Sequence, residues 1–575
     1  MNISNALNSF AGKLSMRSMP PLKISMLARS VMFSFLGLML ASCGGDSNVS
    51  DSGNRGVVAL DQGSNWNPTN QAAFYYSDQG SWIMPYEWAK ALKLSNGQSF
   101  LSQLTSSYGY IPNPVSPSNP EGLPIGFLVA NPGTNNQQLS MNCAACHTRQ
   151  IEVAGNKYRI DGGPAFSNLY ALFQGIDLIV GNTLSDQAAF DAFQAAVQVP
   201  AETLREQLNT WYTPYNTLMT RSLPTEHWGI GRADAVAMLQ NRVSGLDIGP
   251  IENQNIIASN IAVAAQPVRY PFIWNSGKQD FTQWAGTSIN GDATYAFSRN
   301  TGEALGVFAL FKPRRDPAVV GGVNFLIENS VKYETVNNIQ TLVDQIGPPK
   351  WPWPVDNAMV LKGKGLYEIN CTSCHGIKQG QPRPGNPYTW ATPVQNVNTD
   401  SSYYKNFAVG KGTSDSGILT GLTIPFSNPI STVPASGAAI VSLFDVANSS
   451  ALVQLNPLIN LSIKAPERTE GSFESKVLQG VWSSAPYLHN GSVPTLAALL
   501  TPSASRPTSF QVGPVYDTTN VGLATDQPGG SATVRVTTDC ATMNGNSNCG
   551  HEGPGFGTDL TPDEKKALIE YLKTL

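Results

Sequence analysis

Two short stretches of this chain carry the same reactive pattern: Asn142-Cys143-Ala144-Ala145-Cys146-His147 and Asn370-Cys371-Thr372-Ser373-Cys374-His375. In Cys-x-x-Cys-His the two thiols can form thioethers with the vinyl groups of a haem while the adjacent imidazole ligates its iron, the attachment signature of c-type haem. A zinc site would need a second pair of ligands nearby, and a redox dithiol has no use for the histidine. Two copies therefore predict two covalent haem c groups, and their wide separation suits one haem per domain.

A third set lies between the motifs. The region 271–311 carries Trp274, Gln283-Trp284-Ala285-Gly286 and Ser298-Arg299-Asn300-Thr301-Gly302-Glu303, a concentration of aromatics with one arginine and one acid. Trp284, Arg299 and Glu303 could line the open face of a haem, where peroxide or dioxygen needs a proton shuttle and a donor to polarise the O–O bond. Aromatic core packing with a surface Arg-Asn turn would use the same residues, and the sequence leaves both readings open.

These groups must be positioned by a chain of 575 residues in which only 13 % are charged, with 52 glycines and 40 prolines. That composition predicts a loop-rich protein rather than a bundle of long surface helices; together with the helical spacing over 166–199 and 201–212, the expected fold is mainly α with long loops and few short strands. The net charge is -4 and no basic tract stands out, which excludes nucleic acid as a partner. Ile151-Glu152-Val153 and Lys157-Tyr158-Arg159-Ile160 read as a short hairpin after the first motif, and the stretches 166–199 and 201–212 read as helical.

The chain opens with Lys13, Arg17, Lys23 and Arg29 and no acid, followed by an apolar run from Val31 to Ala41 that is too short to span a bilayer. It ends in Leu40-Ala41-Ser42-Cys43, which resembles the lipobox of bacterial lipoproteins. The expectation is a signal peptide over 1–42, a lipidated Cys43 and a flexible Ser-, Asn-, Gly- and Asp-rich tether over 43–75. The protein would then be exported, on the periplasmic side or at the outer membrane, and held to a membrane only by its lipid. Of seven cysteines, Cys540 and Cys549 remain; bracketing a polar loop in an oxidising compartment, they read as a disulfide.

The segment Gly347-Pro348-Pro349-Lys350-Trp351-Pro352-Trp353-Pro354 cannot continue a helix and marks a boundary between a first haem domain, 76–346, and a second, 347–575. After it, Ala358 to Asn370 reads as a helix carrying Leu361, Gly365, Leu366 and Tyr367 into the second motif. Near the end, Thr561-Pro562-Asp563-Glu564 combines an N-cap, a proline at the first helical position and a capping-box acid. The helix it starts aligns Leu568, Ile569, Leu572 and Leu575. Two such helices cross in a cytochrome c fold.

The order of these features, with Ala485-Pro486-Tyr487-Leu488-His489-Asn490-Gly491-Ser492-Val493-Pro494-Thr495-Leu496 after the second motif, resembles the bacterial dihaem cytochrome c peroxidase superfamily. Arg159-Ile160-Asp161-Gly162-Gly163-Pro164-Ala165 and Gly550-His551-Glu552 draw the resemblance toward its dihaem rubber-oxygenase branch. It covers roughly residues 80 to 575.

The resemblance implies two cytochrome c-like haem domains with divided labour. The second haem stores or transfers electrons, while the first keeps an open axial position for peroxide or dioxygen. A small cytochrome or cupredoxin is the implied electron donor, and calcium is a candidate ion between the domains. His147 and His375 are proximal ligands by motif. The resemblance points to His551 as sixth ligand of the second haem, with His489 near its propionates; His489 and Met543 remain alternatives for the ligand. His227 reads as a loop histidine. Two other functions stay open: a non-catalytic dihaem electron carrier, and a maturation enzyme that oxidises a partner protein.

Overall fold

The computed structural model describes residues 56–404 and 471–575, except 249–253, 257, 259–260, 287, 313, 319–322, 325, 384, 529–532, 537–539 and 541–543. The expected signal peptide, the Cys43 lipid site and Met543 lie outside the described residues.

Part of the tether expected over 43–75 is folded. Val57–Ala59 is a strand pairing in parallel with Asn156–Asp161, and Pro68–Tyr76 is a helix. The cause is a distant carboxylate. Asp161 is buried and accepts hydrogen bonds from Trp66 Nε1 at 2.8 Å, Gln71 Nε2 at 2.7 Å and Tyr75 Oη at 2.5 Å. A buried carboxylate must be satisfied, and here the segment expected to be free supplies the donors.

The expected hairpin forms from Thr148–Val153 and Asn156–Asp161. The expected helical stretch 166–199 is two helices, Leu169–Ser185 and Gln187–Val197, because the Asp186 carboxylate caps the second through the amides of Ala188 and Ala189. The third helix, Ala201–Ser222, runs past Tyr212 with Pro214 inside it. Strands are more numerous than the composition suggests. The described residues form nine small sheets of two or three strands, many strands being only two residues long. These ladders pin passing loops together, and two residues carry no visible periodicity.

Two cores hold the molecule. One belongs to the first half, around Phe100, Phe127, Leu172, Ile176 and Leu208. The other crosses the expected boundary: Ile151, Ile160, Phe272 and Trp274 pack with Tyr367, Trp482, Tyr487 and Leu568 in one cluster. The Pro-rich segment is built into this cluster. Trp351 and Trp353 set their rings 5.2 and 5.9 Å from that of Trp482, whose Nε1 donates to the Pro349 carbonyl. The prolines stop the helix as expected, yet the two expected domains share apolar core rather than a bare linker.

The two expected crossing helices are Asn357–Asn370 and Pro562–Lys573, the latter with its Thr561–Glu564 capping box. They meet at Gly363, where a Cβ would lie 1.9 Å from the Ala567 carbonyl oxygen. Leu361 departs from expectation. It is 74 % exposed, because the face that crosses carries Gly363 and Tyr367 instead.

Gly363→Ala should force the helices apart and lower stability by roughly 1–3 kcal/mol, whereas Gly365→Ala, with nothing within 4 Å of its Cβ, should be neutral or stabilising by up to about 1 kcal/mol. Thermal unfolding of the two variants checks this; equal melting temperatures would contradict the close crossing.

Candidate functional site

Each Cys-x-x-Cys-His stretch is a single helical turn that brings its three reactive side chains to one side. The amide of His147 donates to the Cys143 carbonyl at 2.9 Å, and that of His375 to the Cys371 carbonyl at 2.8 Å. Asn142 sets the first turn. Its side-chain oxygen accepts from the Ala144 amide, and its Nδ2 donates to the carbonyls of Phe74, Tyr75 and Ser77. Gly126, at φ 79°, lets the neighbouring chain approach; a Cβ there would meet the Ala145 amide nitrogen at 2.1 Å. The second turn continues directly from the Asn357–Asn370 helix.

Both motif imidazoles are fixed in the same way. His147 Nδ1 donates to the Pro271 carbonyl at 3.0 Å and His375 Nδ1 to the Lys476 carbonyl at 2.7 Å. A carbonyl only accepts, so each Nδ1 carries the proton and each Nε2 offers a lone pair to a metal. Burial lowers the His147 pKa to about 4 and also lowers that of His375, which keeps both neutral, as ligation requires.

The cysteines are not poised as redox thiols. Cys143, Cys146, Cys371 and Cys374 are unbridged, and burial pushes Cys143 and Cys146 up to about 12 and Cys371 up to about 11. Disulfide-exchange chemistry needs the opposite shift. Cys540 and Cys549 form the expected disulfide.

Beside the second motif lies a cavity of about 1260 Å³, part of it open to solvent. Its walls include Cys371, Cys374 and His375, together with His489, His551 and Leu568. The His551 ring centroid stands 6.2 Å from that of His375. Two imidazoles sharing one metal between them require roughly 6–6.5 Å, from metal–nitrogen bonds of about 2 Å plus the ring radius at each end. Burial holds the His551 pKa at about 3, so this ring too is a neutral donor. The donor set, the apolar walls and the spacing fit haem c.

His489 lines the same cavity but is stacked on Phe473, 3.8 Å between centroids, and its backbone carbonyl accepts from the Arg269 amide. His227 is exposed and stacked on Tyr170 at 4.4 Å. Every histidine of the chain is thereby located.

The residues expected at the first haem are not all together. Arg299 and Glu303 lie on the helix Ala293–Gly306 and form an ion pair at 3.7 Å, and the charges of both are felt at Cys143. Gln283 Nε2 donates to Glu303 at 2.9 Å, and Gln340 accepts from Arg299 at 2.8 Å. The Glu303 side chain keeps 46 % of its surface accessible, yet desolvation raises its pKa. Trp284 turns the other way, into the cavity of the second motif, where its Nε1 donates to the Arg269 carbonyl. The left-handed backbone at Gln283, φ 67°, lets adjacent residues serve opposite sites.

The wall between the sites holds residues the sequence did not single out. Glu474 and Lys476 form a buried ion pair, and the Lys476 ammonium lies 5.5 Å from the Trp284 ring and 5.8 Å from that of Phe272. Arg269 stacks at 4.7 Å on Trp284. Only Arg149, two residues beyond His147, carried a local signal of its position. Among the described residues no group of three or more His, Cys, Asp or Glu is arranged to hold an ion such as calcium, and no helix is long and apolar enough to cross a membrane.

Residues 472–511, which contribute the Lys476 carbonyl, Tyr487 and His489, match a family model described as RoxA-like, cytochrome c-like. A cytochrome c-like segment implies covalently bound haem c and suggests a haem oxidoreductase. The chain is also similar to the uncharacterized protein y4iJ of Sinorhizobium fredii (strain NBRC 101917 / NGR234), 29% identical over 90% of this chain and 93% of that protein. A second protein of that strain, the uncharacterized y4iM, is 28% identical over 53% of this chain and 63% of its own length.

Replacing Cys143 and Cys146 together with alanine should remove one covalent haem and leave the other, and the Cys371 with Cys374 replacement should do the reciprocal. Haem staining after denaturing electrophoresis, with a pyridine haemochrome count, reads the result. A wild-type count of one haem or none would reject the assignment.

Proposed function

We propose that this chain is an exported dihaem c-type cytochrome that works as an oxidoreductase, activating peroxide or dioxygen at the haem held by Cys143, Cys146 and His147. The haem of the second motif stores or passes electrons. Bound haem c supplies a redox-active iron whose axial ligation decides between electron transfer and activation of a small molecule.

The single observation that carries this reading is the asymmetry of the histidines. His551 stands at ligand distance across from His375, whereas the remaining two, His227 and His489, are stacked on other rings and leave His147 without a second imidazole. A closed site and an open one follow. At the open site Glu303 can hold or release a proton, since burial raises its pKa while the charge of Arg299 opposes that rise. Arg299 is held by Asn290, Asn300 and Gln340 and so presents a fixed positive charge without needing to reorganise. Trp284 belongs to the wall between the sites, where its indole contributes apolar contact to the second cavity. A small cytochrome or cupredoxin serves as electron donor.

His551→Ala should convert a low-spin iron to high spin while the other haem's signals persist, whereas His489→Ala should not. Glu303→Gln should leave both spectra nearly intact and slow peroxide or dioxygen consumption by about 100-fold or more. With Glu303 accepting a proton, the wild-type rate should rise with pH as its carboxyl ionises, above the ordinary value of 4.5, and the Gln variant should lose that limb. A first haem that is low-spin and closed to cyanide in both oxidation states would make the protein an electron carrier instead.

Export and lipid anchoring through Cys43 complete the proposal. Cys43→Ser should release folded, haem-loaded protein from the membrane fraction; retention on the membrane would reject the lipid anchor.

A further inference from the structure

Two buried arginines form no ion pair among the described residues. Arg149 is 1 % exposed; its Nη1 donates to the carbonyls of Pro164 and Ala485, while its Nε and Nη2 are buried without a hydrogen-bond partner. Arg269 is 7 % exposed; its Nε donates to the Leu488 carbonyl at 2.8 Å, and its Nη1 is likewise buried without a partner. Both guanidinium groups are felt by Tyr487, and each repels the other. Glu474 is felt by Arg269 but is itself paired with Lys476, so the wall sets three cations, Arg149, Arg269 and Lys476, against this one acid.

Burying a lone guanidinium with open N–H groups costs several kcal/mol, and two in one wall cost more through repulsion. Rings do not remove the need. Phe166 lies 4.1 Å from the Arg149 guanidinium and Trp284 covers Arg269, yet a ring face offers nothing to the in-plane N–H groups left over. Those N–H groups call for a carboxylate, which a guanidinium binds through parallel N–H donors. Arg269 lines the cavity of the second motif; Glu474 lines it too but is held by Lys476, and the further carboxylates that the reading above brings into that cavity are haem propionates.

We propose that Arg269, backed by Arg149, is the binding site for a propionate of the haem in the second motif's cavity. The inference rests on that haem being present, and it adds what holds the haem's acidic edge against the wall shared with the first site. The pair would keep the propionate ionised and place positive charge beside one iron.

The test is a spectroelectrochemical titration of the intact dihaem protein, its Arg269→Gln and Arg149→Gln variants, and Arg269→Lys as the charge-conserving control. The second haem is recognised by the low-spin band lost in His551→Ala. Both Gln variants should keep two covalent haems. The midpoint potential of the second haem should fall, because a removed positive charge no longer disfavours the oxidised iron. It should also become dependent on pH between about 5 and 8, as the propionate loses its partner and its pKa rises. Arg269→Lys should recover most of the potential. A second-haem potential and pH dependence unchanged in both Gln variants would overturn the proposal, as would a shift confined to the first haem. Absence of the second haem from the wild-type protein would instead overturn the reading on which it rests. Should Arg269→Gln fail to fold, Arg149→Gln with Arg269→Lys still decides between these outcomes.

Discussion

The hydrogen bond from His375 Nδ1 to the Lys476 carbonyl is the contact on which most of the site depends. It joins a histidine delivered by one helix to a backbone segment a hundred residues later, and so turns an attachment motif into a wall of a cavity. The same short segment supplies the buried Glu474–Lys476 pair and pairs its backbone with Trp284. Displacing it would free the imidazole, open the ion pair and detach the indole in one step. The Pro271 carbonyl does the same for His147, and Phe272 and Trp274, which follow it, are members of the core that spans both halves. The two sites are thus braced by a single packed cluster, which is why the Pro-rich segment is folded into that core.

Electrostatics divide the interior unevenly. Around Cys143 a positive and a negative group, Arg299 and Glu303, face each other across a helical turn and are buffered by Gln283, Gln340 and Asn290. Such a set can exchange a proton at Glu303, whose ionisation burial opposes and the Arg299 charge favours. The second cavity is mainly apolar, with the imidazoles of His375, His489 and His551 in its walls and Arg269, Glu474 and Lys476 among its lining. Burial opposes ionisation of Glu474 there and Lys476 favours it. On the proposed reading the first environment supports proton-coupled chemistry, and the second surrounds an electron store with fixed charges.

Much of the site was legible in the sequence, and what was legible was local. The motif turns, the Thr561–Glu564 cap, the hairpin after the first motif and the Cys540–Cys549 bridge all depend on residues within a dozen positions of one another. What escaped was set by distant partners. The stretch before Gln71 is polar enough to read as a tether, and only Asp161, far along the chain, explains why it packs. Leu361 has the composition of a core residue, but the crossing point is chosen by Gly363, whose value is the absence of a side chain. Trp284 and Glu303 were grouped by proximity in sequence, but at the left-handed residue Gln283 the chain sends the Gln283 side chain to Glu303 and the next residue, Trp284, into the other cavity. Arg269, Glu474 and Lys476 carry no motif at all.

The placement of the histidines shows how function can be rationed in such a fold. On the proposed reading, an imidazole across from His147 would close the first site as the His375–His551 pair would close the second, and open coordination would be lost. This chain spends its remaining rings elsewhere: His227 lies outside on Tyr170, and His489 is held flat against Phe473 with its carbonyl engaged by Arg269. Turning His489 toward the iron would break a stack at 3.8 Å and disturb the Leu488–His489 backbone that anchors Arg269. The stack therefore serves the second site twice, keeping a competing donor away and fixing a positive charge at the cavity edge. Whether a haem in this molecule stores electrons or meets a substrate is decided less by its attachment motif, which both share, than by which single ring the rest of the chain leaves free to face it.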